Sequence, residues 1–259
     1  MMLTVDSIAG GYGDIQVLWG VSASVEAGHV TVILGRNGAG KSSLLNAVAG
    51  FLPTVRSGHV RLGDLELGRL TPFERVRAGL AYVQEGKRVF HRRTVEENLL
   101  LGGYTVKRPF LRRGQRLQAS VDRAYERFPM LADRRKMAAG RLSGGQQQML
   151  AIAQALIPEP SVLMLDEPSA GLAPAVAKEV FAMVENLKRE GLAVLLVEQV
   201  VDNALAIADD VIVIDAGRVA ASGRVSDFDD TTMVRDLYLG RSGTGPGETH
   251  GRAPGRSGP

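Results

Sequence analysis

A glycine-rich segment, Gly35 to Ser42, constrains the fold of this chain more than any other part of its sequence. It reads Gly-Arg-Asn-Gly-Ala-Gly-Lys-Ser and matches the pattern of a phosphate-binding loop. Val30 to Leu34, before it, has the length and apolar character of a buried strand. From Lys41 to Ala49, after it, apolar residues recur at helical spacing. The order strand, glycine loop, helix predicts an α/β fold.

The residue types of this loop suit phosphate binding. Backbone N–H groups of a glycine loop wrap phosphates, and the following helix adds its positive N-terminal end. Lys41 then reaches the β and γ phosphates, and the Ser42 hydroxyl is a ligand for Mg²⁺. Such a match arises by chance in a chain of this length on the order of once in a hundred. A simple glycine turn is therefore a negligible alternative.

An apolar run that ends in two acids lies about 125 residues after the loop. Val162 to Leu165 has the length of a strand, and Asp166 and Glu167 follow it. Alone, an acidic pair after a strand is weak evidence, since it also caps turns. Downstream of a phosphate loop, Asp166 is expected to hold Mg²⁺, directly or through water. Glu167 is expected to act as general base toward the attacking water.

The remaining pattern predicts a layered architecture. From residue 162 onward strand-like and helix-like segments alternate, which predicts a mainly parallel sheet covered by helices on both faces. Three stretches in which apolar and polar residues alternate predict a small antiparallel sheet that flanks the loop. They are Leu3–Ile8, Val21–Val25 and Gly58–Leu62. After Asp166 the expected segments are the helix Pro174–Arg189, the strand Leu192–Val197, the helix Val200–Ala208 and the strand Val211–Ile214.

A helical pattern from about Thr94 to Met137 predicts a helical insertion, with a break marked by Pro109 and Gly114. The stretch from Arg241 to Pro259 is rich in Gly, Pro, Ser, Thr and Arg and has almost nothing apolar. It is therefore expected to be a disordered tail. The folded domain then covers residues 3–240, with the insertion at about residues 90–150.

Composition excludes several kinds of chemistry. The chain has no cysteine, which excludes disulfides, thiolate zinc sites and cysteine nucleophiles. Its longest apolar runs, such as Leu192 to Val197, are far shorter than the ~18–20 residues of a membrane helix. The N-terminus lacks the pattern of a signal peptide. Any transport role is therefore expected to require separate membrane-spanning partners.

Basic residues are concentrated between Arg69 and Arg116, although the net charge is only +3. This region is compatible with a solvated face or with a partner surface near anionic lipid headgroups. Nucleic acid is the least favoured partner, because few aromatics, such as Tyr104 and Phe110, are interleaved with the basic residues.

The segment Leu142 to Gln148 reads Leu-Ser-Gly-Gly-Gln-Gln-Gln and opens a helical pattern. Ser143 has the residue type of an N-cap, and Gly144 and Gly145 expose backbone N–H groups, so the segment is a second candidate anion site. A simple capped helix is the alternative that these residues leave open.

Together these motifs resemble those of ABC transporter ATPases in order and spacing, over about residues 3–240. The resemblance implies a P-loop NTPase core with an antiparallel β subdomain and a helical insertion. In that family two domains pair head to tail, and each ATP lies between the P-loop of one copy and the Ser143-Gly144-Gly145 signature of the other. This chain would then dimerise with itself or with a sister chain. The implied ATP-binding residues are Tyr12, which would stack on adenine, Gly35, Arg36, Asn37, Gly38, Ala39, Gly40, Lys41, Ser42, Ser43, Glu85, Ser143, Gly144, Gly145 and Gln146.

Three positions depart from the commonest family pattern. Glu85 aligns with the family's glutamine that senses Mg²⁺ and the membrane partner, but Gln84 fits if the alignment moves by one residue. Gln199 replaces the usual switch histidine. A glutamine donates hydrogen bonds but carries no proton or charge, so any catalytic contribution of Gln199 would be positional. Ala173 replaces a usual aspartate.

These departures resemble one subfamily, the smaller ATPase of bacterial branched-chain amino acid importers, which is similar to urea and short-amide importers. The resemblance rests on Glu85–Phe90, Thr94–Leu99, Ser169–Pro174 and Val197–Gln199, whereas His91 and Arg93 are less typical. It implies membrane-spanning permease partners, an indirect link to a solute-binding protein, and a peripheral location on the cytoplasmic face of the cell membrane. The alternatives are a soluble ABC ATPase of DNA repair, iron–sulfur assembly or the ribosome, and a P-loop kinase, which would not explain Leu142 to Gln148.

Overall fold

The computed structural model describes residues 2–86, 88–105 and 113–228, which form two sheets surrounded by helices. The strands are β1 Leu3–Tyr12, β2 Ile15–Val25, β3 Val30–Leu34, β4 Thr54–Leu62, β5 Leu65–Glu66, β6 Leu80–Val83, β7 Val162–Asp166, β8 Ala193–Val197, β9 Asp210–Asp215 and β10 Arg218–Arg224. The helices are α1 Lys41–Ala49, α2 Pro72–Ala78, α3 Val95–Gly102, α4 Arg113–Arg127, α5 Pro129–Ala132, α6 Gly144–Leu156, α7 Pro174–Arg189 and α8 Val201–Leu205.

The central sheet has the strand order β10-β9-β3-β8-β7-β6. Its pairs from β9 to β6 are parallel, and β10 joins antiparallel at one edge. Because β8 pairs with both β3 and β7, the carboxyl ends of these three strands lie side by side. The loops that leave them are therefore brought together at one edge of the sheet, where ligands of open α/β sheets bind.

The second sheet is antiparallel, with the order β2-β1-β4-β5. It contains the three predicted N-terminal strands, each longer than its predicted core. Side chains on opposite faces of β3 pack in different halves of the core. Val30, Val32 and Leu34 pack in the cluster that contains α6 and α7, whereas Ile33 packs with α1 and the antiparallel sheet. The predicted α/β class with an antiparallel β subdomain is confirmed.

The region predicted as helical from Thr94 to Met137 contains α3, α4 and α5. Gly114, one of the two residues predicted to mark the break, lies in the first turn of α4, which begins at Arg113. Pro109, the other residue predicted to mark the break, and the predicted tail Arg241 to Pro259 lie outside the described residues. No helix in the described ranges is both long enough and apolar enough to cross a bilayer.

The helix predicted from Val200 to Ala208 ends earlier, at Leu205. The amides of Ile207 and Ala208 donate to carbonyls three residues back, at Ala204 and Leu205, which tightens the chain into turns. These turns lead to Asp209, whose Oδ2 accepts a hydrogen bond from the Val30 amide (2.8 Å) at the start of β3. The shorter helix therefore results from a tertiary contact.

Arg75 of α2 is a buried cation that binds the C-terminal end of α1. Its Nη1 donates to the carbonyls of Ala47 (2.8 Å) and Val48 (2.6 Å), and its Nε donates to that of Leu70 (3.0 Å). The last carbonyls of a helix lack partners within the helix and carry partial negative charge. Arg75 satisfies two of them and fixes α2 against α1, even though burial lowers the pKa of its guanidinium group.

We expect Arg75→Met to lower the free energy of unfolding by about 2–3 kcal/mol, since it removes charged hydrogen bonds from buried carbonyls. Urea unfolding monitored by circular dichroism measures the change. Arg77→Met is the matched control on the same helix, because Arg77 is exposed and its guanidinium lies 5.5 Å from the Phe73 ring centroid. It should cost less than about 1 kcal/mol. Equal losses in the two variants would contradict the role given to Arg75.

Candidate functional site

The glycine loop after β3 has a backbone shape that few residues other than glycine adopt. Gly38 and Gly40 have φ angles of 80° and 105°. Gly40 is also the N-cap of α1, and no side chain caps that helix. The first N–H groups of α1 are thus left to an external acceptor, and a helix N-terminus favours an anion there. The predicted phosphate loop has the conformation that its sequence requires.

Lys41 folds back along this loop and is almost completely buried. Its Nζ donates to the carbonyls of Gly35 (2.8 Å) and Arg36 (3.2 Å) and lies 3.8 Å from Oε1 of Glu167. A buried ammonium group is retained only when it is hydrogen-bonded and paired with charge. The ammonium is therefore held at the loop, where a phosphate would meet it.

Asp166, at the end of β7, faces the start of α1. Its Oδ1 accepts a hydrogen bond from the Ser42 hydroxyl (3.1 Å), and its Oδ2 accepts one from the hydroxyl of Tyr82 on β6 (3.1 Å). Burial raises the pKa of Asp166, and the neighbouring Glu167 and Glu85 raise it further, while the two hydrogen bonds oppose the shift. Burial, together with the charge of Asp166, also raises the pKa of Tyr82.

This pair of oxygen ligands fits Mg²⁺. Mg²⁺ prefers hard oxygen ligands and keeps several waters or substrate oxygens, so one or two protein ligands suffice. Ser42 and Asp166 supply a hydroxyl and a carboxylate 3.1 Å apart. Among the described residues there is no cluster of three or more His, Cys, Asp or Glu side chains suited to a metal. The remaining ligands would accordingly come from a bound nucleotide and from water.

Glu167 and Gln199 meet across the ends of β7 and β8. The Gln199 side-chain amide donates to both carboxylate oxygens of Glu167 (2.8 Å each) and to Oδ1 of Asn37 in the glycine loop (2.8 Å). Glu167 has a φ of 46°, in the left-handed region that non-glycine residues seldom adopt. Such strain is typical of functional sites, where the surrounding structure holds it.

These groups surround an open cavity of about 440 Å³. The residues that line it are Val17, Asn37, Gly38, Gly40, Lys41, Ser42, Ser43, Glu85, Glu167 and Gln199. Glu85 thus faces the loop, whereas Gln84 lines a different cavity. This geometry favours Glu85 over Gln84 as the residue near the ligand. The same loop contains Gly35, Arg36 and Ala39, but these residues do not line the cavity.

Tyr12, the residue predicted to stack on adenine, lies at the end of β1 beside α1. Its hydroxyl is 3.4 Å from the Ser43 hydroxyl and accepts a hydrogen bond from the Asn46 amide (3.4 Å). Tyr12 does not line the cavity, whereas Val17 of β2 does. The stacking of Tyr12 therefore stays a prediction.

The predicted signature segment caps α6 as expected. The Ser143 hydroxyl accepts a hydrogen bond from the Gln146 amide (3.3 Å), and the Gln146 side chain accepts one from the Ser143 amide (3.0 Å). A Cβ added to Gly145 would lie 2.2 Å from a Val176 methyl of α7, so close helix packing requires glycine there. Ser143, Gly144, Gly145 and Gln146 do not line the P-loop cavity. The structure thus separates the two predicted anion sites within one chain.

Sequence reasoning missed four residues at or beside this site: Val17, Asn46, Tyr82 and Glu198. Glu198 is buried, and its carboxylate accepts hydrogen bonds from the amides of Ser169 (3.0 Å) and Gln199 (3.1 Å). Burial raises the pKa of Glu198, against the effect of these hydrogen bonds. Only the position of Glu198 directly before Gln199 was a signal in the sequence.

We expect Asp166→Asn to unfold at a higher temperature than the wild type at about pH 8 without nucleotide. The raised pKa means that the ionised carboxylate destabilises the folded state above the ordinary pKa of aspartate, and asparagine removes this charge. The difference should shrink as the pH falls toward that ordinary pKa. Thermal unfolding at several pH values measures it, with the exposed Asp64→Asn as the control. A variant less stable than the wild type at every pH would contradict the expectation.

Comparison with known proteins agrees with this geometry. The family model described as ABC transporter matches residues 18–170. The high-affinity branched-chain amino acid transport ATP-binding protein BraG of Pseudomonas aeruginosa is 42% identical over 92% of this chain and 100% of its own length. The probable branched-chain amino acid transport ATP-binding protein LivF of Archaeoglobus fulgidus is 38% identical over 92% of this chain and 99% of its own.

A crystal structure of the ADP conformation of an ATP-binding cassette of an ABC transporter superposes with a TM-score of 0.77. It is 30% identical and is matched over 93% of this chain and 95% of its own. The sequence match, the shared fold and the assembled phosphate site agree. The chain therefore belongs to the ABC transporter family, as one of its ATPase cassettes.

Proposed function

We propose that this chain hydrolyses ATP to drive an importer for branched-chain amino acids. The observation that carries the proposal is the convergence of Lys41, Ser42, Glu167 and Gln199 on one cavity, with Asp166 hydrogen-bonded to Ser42 beside it. Similarity to BraG along nearly the whole chain supports the cargo. The urea and short-amide importers are the second candidate for the cargo.

Binding would begin at the glycine loop. The free N–H groups of α1 and the Lys41 ammonium would donate hydrogen bonds to the β and γ phosphates of ATP, while Ser42 and Asp166 would hold Mg²⁺. When bound, Mg²⁺ neutralises part of the phosphate charge. Glu85, which lines the same cavity, would sense the bound cation.

Glu167 is the candidate general base. Its carboxylate lies at the cavity beside Lys41, where it would activate a water for attack on the γ phosphate of a bound ATP. Gln199 donates to both oxygens of Glu167 and leaves their charge in place, because an amide does not titrate. Gln199 therefore orients Glu167 and does not carry the proton.

A second ATPase chain would complete the site. Within this chain the signature residues Ser143 to Gln146 do not reach the P-loop cavity, so their predicted contact with ATP requires another copy. Head-to-tail pairing would place the capped start of α6 against the γ phosphate of the partner's nucleotide. The partner chain would be a second copy or a sister subunit.

An exposed aromatic surface is the proposed docking site for the membrane-spanning permease subunits, on the cytoplasmic face of the membrane. Phe51 (52% exposed) and Tyr104 (73% exposed) lie at this surface, and Phe73 packs edge-on against Tyr104. Phe51 and Tyr82 line an adjoining cavity of about 310 Å³ together with Gln84. Large exposed apolar patches mark interaction sites. Tyr82 also donates to Asp166, so this surface is linked to the metal-binding residues.

We expect Phe51→Ser to reduce sedimentation with membranes that contain the permease by about tenfold, since buried aromatic anchors dominate interfaces. Sedimentation of the full chain with membranes, with and without the permease, measures this binding. Leu65→Ser is the matched control, because Leu65 is 46% exposed but belongs to the antiparallel sheet. Sedimentation of Phe51→Ser at the wild-type level would contradict the docking site.

The cargo is tested by uptake of labelled leucine and labelled urea in cells that lack this chain. We expect leucine uptake to be lost and to be restored by the wild type but not by Lys41→Ala or Glu167→Gln. The purified Glu167→Gln variant should hydrolyse ATP at least about a hundredfold more slowly. Loss of urea uptake alone would change the cargo and keep the ATPase. Normal turnover in Glu167→Gln would refute the role of the base.

A further inference from the structure

Glu198 is a buried carboxylate next to Glu167 and Gln199. It has no role in the proposed mechanism of ATP hydrolysis. It follows β8 and is only 1% exposed. Its Oε1 accepts a hydrogen bond from the Ser169 amide (3.0 Å), and its Oε2 accepts one from the Gln199 amide (3.1 Å). A carboxylate that is removed from water in this way is costly unless its hydrogen bonds are made. Each oxygen thus binds a backbone amide from a different segment of the chain.

The two segments joined by Glu198 are those that carry the catalytic pair. Ser169 lies two residues after Glu167 in the loop that leaves β7. Gln199 supplies the side-chain amide that lies 2.8 Å from both oxygens of Glu167 and from Oδ1 of Asn37. Glu198 therefore fixes the backbone on both sides of the Glu167–Gln199 contact.

The strained backbone of Glu167 needs restraints of the kind that Glu198 provides. With a φ of 46°, Glu167 adopts a conformation that persists only when the surrounding structure holds it. One restraint acts on the backbone at the N-terminal side of Glu167, where its amide donates a hydrogen bond to the Val197 carbonyl (2.9 Å). The bond from the Ser169 amide to Glu198 is a restraint that follows it.

We propose that Glu198 is a positioning residue for ATP hydrolysis, which acts by holding Gln199 and the Glu167 loop in register. The inference rests on the proposed ATPase function and extends it. Glu198 does not line the P-loop cavity, so its effect on a bound nucleotide would pass through Gln199 and Glu167.

The test is Mg·ATP hydrolysis by the purified full chain carrying Glu198→Gln. The two amides bind different oxygens of Glu198, and in glutamine one of these positions becomes an NH2 donor, so either the Ser169 or the Gln199 amide loses its acceptor. We expect kcat to fall about tenfold, which is the effect of one lost hydrogen bond on a barrier. KM for ATP should change less than about twofold, because Lys41 and the glycine loop are untouched.

A double-mutant cycle distinguishes positioning from simple destabilisation. In a Gln199→Ala background, Glu198→Gln should lower kcat by less than it does in the wild type, because the Glu167–Gln199 contact is already absent and only the restraint on the Glu167 loop remains to be lost. Glu66→Gln is the matched control, since Oε1 of Glu66 also accepts backbone amides, those of Gly68 (3.1 Å) and Val60 (3.4 Å), but in the antiparallel sheet. It should leave kcat unchanged.

The outcomes separate this inference from the function on which it rests. An unchanged kcat in Glu198→Gln, or a loss that is fully additive with Gln199→Ala, would overturn the positioning role alone. Absence of hydrolysis by the wild type would overturn the proposed function and the inference with it. If Glu198→Gln does not fold, Glu198→Asp replaces it. That variant keeps the charge but is too short to reach both amides, so the same fall in kcat is expected.

Discussion

The pairing of β8 with both β3 and β7 determines where chemistry occurs in this fold. It brings three carboxyl ends to one edge, and each end contributes a different group. The glycine loop follows β3, Asp166 ends β7 and Glu167 follows it, and Gln199 comes after β8. Because the three strands are buried and apolar, their relative positions are set by core packing, which does not depend on the ligand. Core packing thus positions the groups that are proposed to act in catalysis.

This edge combines a hydrogen-bonded cation with several carboxylates. Lys41 is held by two carbonyls and lies beside Glu167, while Asp166 is held by two hydroxyls. Burial makes each charge unfavourable on its own, as the raised pKa of Asp166 reflects. A nucleotide with a divalent cation brings both signs of charge to the site. Such a ligand would therefore make this electrostatic arrangement more favourable.

The local motifs could be read from the sequence, and the contacts between distant segments could not. The glycine loop, the strand that ends at Asp166 and the cap at Ser143 each depend on neighbouring residues, and the structure has them as predicted. Tyr82 and Arg75 were missed because their partners belong to other elements. No periodicity or spacing in a single sequence identifies such partners.

Helix α1 connects the candidate phosphate site with the exposed aromatic surface that is proposed for docking. Its first residue, Lys41, contacts the phosphate loop, and Phe51 follows two residues after its end at Ala49. A helix of this length spans about 13 Å, and Arg75 ties its far end to α2. A helix transmits a small displacement along its axis almost without loss, because bending it breaks backbone hydrogen bonds. Movement of the phosphate loop would therefore be passed along α1 to Gly50 and the segment that carries Phe51.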